Sequence, residues 1–171
     1  MEKKELRKKY FTQFNEYKKK NTIEVELSIQ QRLFDFFNQK ISAKKKNIMA
    51  YQPLKSEIPI LQLLQGIDCE IFIPEIVEKD LIPKSLLSGF KSDINEMDYV
   101  ITPGLFVTEN GFRLGRGGGY YDRLLNKVPV NKIIFVGYHW QVIKEIPLDI
   151  WDKPVGFIIT EKNTIICLSR K

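Results

Sequence analysis

Short apolar runs separated by turn residues are the feature of this sequence that most restricts its fold. Six such runs follow Lys46, at residues 48–51, 70–73, 99–102, 133–138, 157–160 and 165–168. Their length and their β-branched and aromatic content predict buried strands. Residues 58–64 and 120–125 are predicted to form helices between them, with Pro59 suited to a first turn. Strands that alternate with short helices predict an α/β fold with a largely parallel sheet.

Two amphipathic segments precede these strands. Residues 2–20 carry one apolar stripe at three- and four-residue spacing: Leu6, Tyr10, Phe14 and Tyr17. This spacing predicts a helix, with Lys3 and Arg7 together on another face. A second segment shows the same phase at Ile29, Leu33, Phe36 and Phe37. It is predicted to be helical too, although residues 23–27 alternate as a strand would.

The length and charge of the chain limit its organisation and its partners. Its 171 residues, 43% hydrophobic and 28% charged, suit one hydrophobic core, so residues 1–171 are predicted to form a single domain. The net charge of +6 favours an anionic partner, either a phosphate-bearing small molecule or a nucleic acid. Lysine runs at 18–20 and 44–46 supply part of that charge. Such runs more often lie on solvent-exposed helix faces or loops than on a surface that binds nucleic acid.

Cysteine and histidine are too few and too scattered to predict a metal site of the zinc type. Cys69 and Cys167 are far apart, and His139 is the only histidine. The cysteines are therefore predicted to pack in a reducing compartment, and His139 to be structural. The sequence has no uncharged stretch long enough to cross a bilayer. These features predict a cytoplasmic protein, with import into an organelle as the open alternative.

The densest motif is the run at residues 113–122, Arg-Leu-Gly-Arg-Gly-Gly-Gly-Tyr-Tyr-Asp. Asn110-Gly111 before it is typical of a two-residue hairpin loop, so residues 106–114 are predicted to double back. Successive glycines let backbone amides approach a polyphosphate, and a following helix start favours negative charge. Arg113 and Arg116 can donate charge-assisted hydrogen bonds to phosphate oxygens, and Asp122 can hold magnesium.

This run differs from two common phosphate-binding motifs. No lysine and hydroxyl residue follow its last glycine, as a Walker A loop requires, and Tyr120 occupies the third glycine position of a dinucleotide fingerprint. If the glycines are considered alone, the alternative is that they form a flexible surface turn. The arginines, the tyrosine pair and the aspartate favour a phosphate site.

The run, preceded by Pro103-Gly104, resembles the signature of 5-formyltetrahydrofolate cyclo-ligases. The similarity reaches both ends of the chain. It includes Lys3, Leu6, Arg7, Tyr51, Pro53, Glu57, Val136-Gly137, Gln141, Ile146-Pro147, Asp152 and Thr160-Glu161.

The resemblance implies a single Rossmann-like, three-layer α/β domain with an amino-terminal basic helix. It also implies an enzyme that uses ATP and Mg²⁺ to convert 5-formyltetrahydrofolate into 5,10-methenyltetrahydrofolate, releasing ADP and phosphate. The formyl oxygen would first be phosphorylated, and the nitrogen at position ten would then attack the activated carbon. We expect a monomer that binds neither nucleic acid nor membrane.

The resemblance also implies a set of site residues. Folate would be held partly by Gln52 and Glu57, magnesium by Asp122 and Asp152, and catalysis would involve Arg116 and Tyr121. ATP would be held by Lys3, Lys4, Arg7, Arg113, Gly115, Arg116, Gly117, Gly118, Gly119, Tyr120 and Tyr121. A carboxylate at Glu57 could accept two donors from an aminopyrimidine edge, whereas the alternative for Glu57 is a solvent-facing carboxylate at a helix start.

The sequence departs from the family between Pro74 and Asp98. That stretch is shorter than expected, it lacks the family's tryptophan and Pro-Glu-Pro segment, and Thr108 replaces a common aspartate. Phe90 is predicted to supply the missing aromatic surface. Two alternatives follow: a degenerate relative that binds nucleotide without folate turnover, and a basic RNA-binding domain built on the single Arg-Gly-Gly element.

Overall fold

A computed structural model describes residues 1–18, 23–39 and 45–167. Two long helices open the chain, α1 (Lys3–Lys18) and α2 (Ile23–Asn38). Leu6, Tyr10 and Phe14 are buried along α1, as the apolar stripe predicts. The helix predicted for the second segment is confirmed. Lys19, Lys20 and Lys44, which belong to the predicted lysine runs, lie outside the described residues.

The main sheet contains seven strands in the described part of the chain. They are β1 (Lys46–Met49), β2 (Cys69–Val77), β3 (Asp80–Ser85), β4 (Tyr99–Thr102), β7 (Ile133–Val136), β9 (Phe157–Ile159) and β10 (Thr164–Ile166). Their order across the sheet is β10-β9-β7-β4-β1-β2-β3. The neighbours from β2 through β1, β4 and β7 to β9 are parallel, whereas β3 and β10 add antiparallel edges. The largely parallel sheet is confirmed. Leu168, at the end of the last predicted strand, lies outside the described residues.

A small second sheet carries the chain into the glycine run. It has the order β6-β5-β8, from β5 (Phe106–Thr108), β6 (Arg113–Leu114) and β8 (Val142–Ile143). The hairpin between β5 and β6 is confirmed, but its loop has three residues rather than two. The Thr108 amide donates to the Phe112 carbonyl, and Gly111 takes a positive φ of 90°.

Alternate residues of the central strands face two separate cores, which defines three layers. Ile48, Ile101 and Ile134 pack with apolar side chains of α1, α2 and the short α3 (Ile60–Leu63). On the other face, Met49 and Val100 pack with side chains of α4 (Tyr120–Asn126). The α/β layered fold is confirmed. No described helix is both long and apolar enough to cross a membrane.

Within the β2–β3 hairpin, the sequence predicted a strand only at residues 70–73. The rest of the hairpin is the main element that it did not predict. Pro74 and Pro83 stand opposite each other in this ladder. Proline removes a hydrogen-bond donor and is uncommon inside sheets, so both residues argue against strands. They are tolerated here because β3 is an edge strand and β2 extends past the end of β1.

Candidate functional site

A cavity of about 360 Å³ lies beyond the carboxyl ends of β1, β2 and β4. Its lining combines three segments that follow or end those strands with the whole glycine run. The lining residues are Tyr51, Gln52, Leu54, Glu57, Pro74, Ile76, Leu81, Pro103, Gly104, Arg113, Gly115, Arg116, Gly117, Gly118, Gly119, Tyr120, Tyr121 and Asp122. Most predicted site residues therefore share one cavity.

The glycine run adopts a backbone conformation that other residues resist. Gly117 has φ +105° and Gly119 has φ +68°, and Gly119 leads directly into α4 at Tyr120. A side chain at either position is strained because L-residues rarely adopt these angles. The amides of Gly117, Gly118 and Gly119 donate no hydrogen bond within the described part of the chain. They remain available to a ligand.

Arg113 places a buried positive charge in the cavity wall. The residue is 9% exposed, and its Nη2 donates to Asp122 Oδ1 over 2.6 Å. Its Nε has no acceptor among the described residues. Burial lowers the pKa of Arg113, while Asp122, Tyr121 and, more weakly, Asp152 oppose that shift. A buried guanidinium with an unused donor favours an anionic or oxygen-rich ligand.

Tyr121 lies beside this guanidinium. Arg113 Cζ is 6.0 Å from the centroid of the Tyr121 ring. The Tyr121 hydroxyl is buried without a hydrogen-bond partner in the described residues. Burial raises the pKa of Tyr121 and the Arg113 charge partly opposes this, so the phenol stays protonated at neutral pH. Within the described residues, this hydroxyl is therefore a hydrogen-bond donor without an acceptor.

Arg116 is held in place by the segment after β1. Its Nε donates to Glu57 Oε1 over 2.9 Å and its Nη2 to Ser56 Oγ over 2.7 Å. The other Glu57 oxygen accepts from the Leu54 amide at 2.9 Å, and the Glu57 side chain is only 8% exposed. The solvent-facing alternative for Glu57 is therefore wrong. Its carboxylate therefore links the segment after β1 to the glycine run, through Leu54 and Arg116.

The amino-terminal helix contributes unequally to this site. Arg7 Nε donates to the Gly115 carbonyl over 3.1 Å, and its guanidinium lies against Gly117. Lys3 Nζ bridges Asp149 and Asp152 at 2.6 and 2.9 Å. Burial lowers the pKa of Lys3, but its hydrogen bonds to these carboxylates raise it more. Lys4 is exposed and does not line the cavity.

The two predicted magnesium ligands are engaged by different cations, Asp122 by Arg113 and Asp152 by Lys3. Among the described residues, no group of three or more histidines, cysteines, aspartates or glutamates could hold a metal ion by itself. Magnesium at nucleotide sites commonly needs only one or two carboxylates, because phosphates and water complete its shell. The Asp122 side chain is 40% exposed, and both aspartates influence Arg113. Of these two aspartates, only Asp122 lines the cavity.

The aromatic surface predicted at Phe90 is not part of the cavity. Phe90 is 77% exposed and does not line the cavity, so its predicted role is wrong. Pro74, Ile76 and Leu81 of the β2–β3 hairpin supply the apolar wall instead. His139 lies outside the cavity, and its backbone amide donates to Glu161.

The fold and the cavity define an α/β protein that presents a glycine-rich, arginine-lined ligand site beyond the ends of parallel strands. Residues 76–161 match the model of the 5-formyltetrahydrofolate cyclo-ligase family. This match covers half of the chain, and the chain belongs to that family.

Individual relatives agree with this assignment. The 5-formyltetrahydrofolate cyclo-ligase of Escherichia coli K12 is 32% identical over 93 residues, which are 53% of this chain and 46% of that protein. The Haemophilus influenzae enzyme of the same name is 39% identical over 68 residues, covering 39% and 36% of the two chains. The matched segments thus span less than half the length of these relatives.

Solved structures match over a longer stretch. The 5,10-methenyltetrahydrofolate synthetase of Aquifex aeolicus has a TM-score of 0.84 and 25% identity, over 100% of this chain and 95% of that one. The Mycoplasma pneumoniae synthetase has a TM-score of 0.78 and 25% identity, over 94% and 99%. The fold resemblance therefore covers the whole architecture, including the hairpin and α1.

Proposed function

We propose that this protein converts 5-formyltetrahydrofolate into 5,10-methenyltetrahydrofolate, using ATP and releasing ADP and phosphate. The observation that carries the proposal is the cavity wall built by the glycine run. In the described part of the chain, three glycine amides of this wall donate no hydrogen bond, and Nε of buried Arg113 has no acceptor. These donors suit phosphate oxygens. Family membership and the names of the relatives support folate as the second substrate.

The proposed reaction has two bond-forming steps. The formyl oxygen on nitrogen five attacks the γ-phosphorus, and the bond to the ADP oxygen breaks. Nitrogen ten then attacks the activated carbon, loses its proton, and inorganic phosphate leaves with the former formyl oxygen. Both steps balance in atoms and charge without a protein nucleophile. The residues therefore need only position the reactants and neutralise their charge.

Individual side chains have separate tasks in this proposal. Arg113, Arg7 and the amides of the glycine run hold the phosphates, and Arg116 stabilises the transferring phosphoryl group. Asp122 and Asp152 would hold magnesium, which supplies further charge neutralisation when it is bound with ATP. Lys3 and Lys4, at the start of α1, would add long-range attraction for the nucleotide.

The remaining tasks concern folate. Gln52 and Glu57, in the segment after β1, offer polar groups to the cavity. Each Glu57 oxygen has a further lone pair besides the one that accepts from Arg116 or Leu54, so it can also accept from the pterin. Pro74, Ile76 and Leu81 offer apolar surface for the ring. The Tyr121 hydroxyl is a donor for either substrate, beside Arg113.

A direct assay tests this proposal. Purified protein is incubated with 5-formyltetrahydrofolate and MgATP, and the absorbance of the methenyl product is followed, with ATP and magnesium omitted in turn. We expect product only when ATP, magnesium and folate are all present. Calorimetry with MgATP and with single-stranded RNA is run in parallel. ATP binding without product would identify a degenerate relative, and RNA binding without ATP binding would contradict the proposal entirely.

A further inference from the structure

The outer half of the β2–β3 hairpin is held differently from its base. At the base, Cys69–Phe72 pairs with β1 residue by residue. Beyond Phe72, β2 pairs only with β3, and no other described strand adjoins that stretch. This outer half nevertheless supplies Pro74, Ile76 and Leu81 to the cavity. One wall of the cavity therefore projects past the end of β1, and its position relative to the rest of the site depends on contacts other than pairing with β1.

Helix α4 packs against the hairpin, with Leu81 in the same core as Leu124 and Leu125, and it also makes two polar contacts near the tip. Arg123 Nη2 donates to the Lys79 carbonyl over 2.7 Å, directly at the turn. Lys127 Nζ lies 3.7 Å from Asp80 Oδ2, and both of these side chains are 57% exposed. An exposed ion pair of that length contributes little. Of these two polar contacts, the Arg123 hydrogen bond is the stronger candidate for fixing the tip.

The same side chain is also anchored to the glycine run. Arg123 Cζ is 5.0 Å from the centroid of the Tyr120 ring, which lines the cavity. A Cβ at Gly119 would lie 3.1 Å from Arg123 Nη1, so the guanidinium lies against the end of the run. One guanidinium thus contacts both the end of the glycine run and the turn of the β2–β3 hairpin.

We propose that Arg123 is a positioning residue that fixes the hairpin wall relative to the glycine run. It touches no proposed reacting atom, and it sets the width of the cavity for the ring of the second substrate. The inference rests on the proposed function for its kinetic consequence, whereas the clamping of the hairpin stands on geometry alone. The backbone hydrogen bond from the Arg123 amide to the Gly119 carbonyl keeps the glycine run in place when the side chain changes.

The test compares Arg123→Gln with two matched controls, each confirmed to be folded by circular dichroism. Lys79→Ala removes the side chain at the tip but keeps the accepting carbonyl, and Lys127→Ala removes the long ion pair. Hydrogen exchange of the amides in residues 73–82 is measured without ligand. Steady-state kinetics then give KM for 5-formyltetrahydrofolate and, separately, KM for ATP.

We expect Arg123→Gln to speed exchange in residues 73–82 by about threefold to tenfold, as for the loss of one hydrogen bond. KM for 5-formyltetrahydrofolate should rise by a similar factor while kcat and KM for ATP stay within about twofold, because only uniform substrate binding is lost. Both controls should match the unchanged protein. Unchanged exchange, or equal effects on both KM values, overturns the inference. If the unchanged protein turns over no folate, the proposed function fails, and the exchange data alone decide whether Arg123 holds the hairpin.

Discussion

Replacing Gly117 by alanine is the perturbation whose effect can be worked most directly from the structure. Gly117 has φ +105°, whereas Gly118, its neighbour in the same run, lies outside the left-handed region. An added Cβ at Gly117 would lie 3.5 Å from Arg7 Cζ, an ordinary contact. The effect at this position is therefore conformational, and not a clash.

Gly118→Ala is the matched control within the run. Its Cβ would lie 3.2 Å from Tyr120 Cδ2, so the Tyr120 ring, which is 37% exposed, has to shift by a few tenths of an ångström. Both substitutions stiffen the unfolded chain alike, a change of about 0.4–1 kcal/mol that cancels between them. The remaining difference is the strain of a non-glycine residue at positive φ, about 1–3 kcal/mol.

The assay is denaturant unfolding of both variants, with the free energy of unfolding extrapolated to water. We expect Gly117→Ala to unfold more easily than Gly118→Ala by about 1–3 kcal/mol. MgATP affinity measured by calorimetry should fall for Gly117→Ala, since the run must leave its native shape. Equal stabilities of the two variants would show that the run does not need the left-handed backbone at Gly117.

Further predictions concern charged groups of the site. Asp122→Asn should lower the free energy of unfolding by about 1–3 kcal/mol in denaturant titration, because buried Arg113 loses its anion; unaltered stability would contradict that pairing. It should also abolish most magnesium-dependent turnover, and near-normal turnover would remove Asp122 from the metal site. Arg116→Ala should reduce kcat by about 10²–10³-fold in the absorbance assay, and an unchanged rate would exclude it from the mechanism. The pKa of Lys3 is raised above its usual value of 10.5 in the folded protein. The stabilising contact of Lys3 with Asp152 should therefore be fully present below pH 10.5 and be lost as the pH rises through the pKa of Lys3 in the folded protein. Unfolding of Lys3→Met should therefore differ from that of the unchanged protein near neutral pH and converge with it in strong alkali, and a constant difference would contradict this.

The strands of the main sheet could be predicted because their apolar runs are short and bounded by turn residues. Residues 99–102 and 133–136 bury nearly every side chain, as a parallel strand covered on both faces requires. β3 could not be predicted in the same way, because Asp80, Pro83 and Lys84 give it the composition of a loop. Those residues suit an edge strand, and an edge is defined only by tertiary structure.

The glycine run was identifiable because its chemistry is local in sequence. Its partners were not, since Arg116 meets Glu57 across 59 positions and Lys3 meets Asp152 across 149. Ser56 gives no local signal at all, yet it accepts a hydrogen bond that orients Arg116. The resemblance to a family suggested Glu57 and Asp152, but only the fold reveals which cations they contact.

The central claim is that the glycine run binds the phosphates of ATP and directs the terminal one towards a folate ring beside the hairpin. A crystal structure with a non-hydrolysable ATP analogue, magnesium and 5-formyltetrahydrofolate tests it most directly. The account predicts phosphate oxygens within hydrogen-bond distance of the amides of Gly117, Gly118 and Gly119 and of Arg113 Nε, with the formyl oxygen facing the γ-phosphorus. Phosphates bound elsewhere, with Arg113 Nε still without an acceptor, would contradict it.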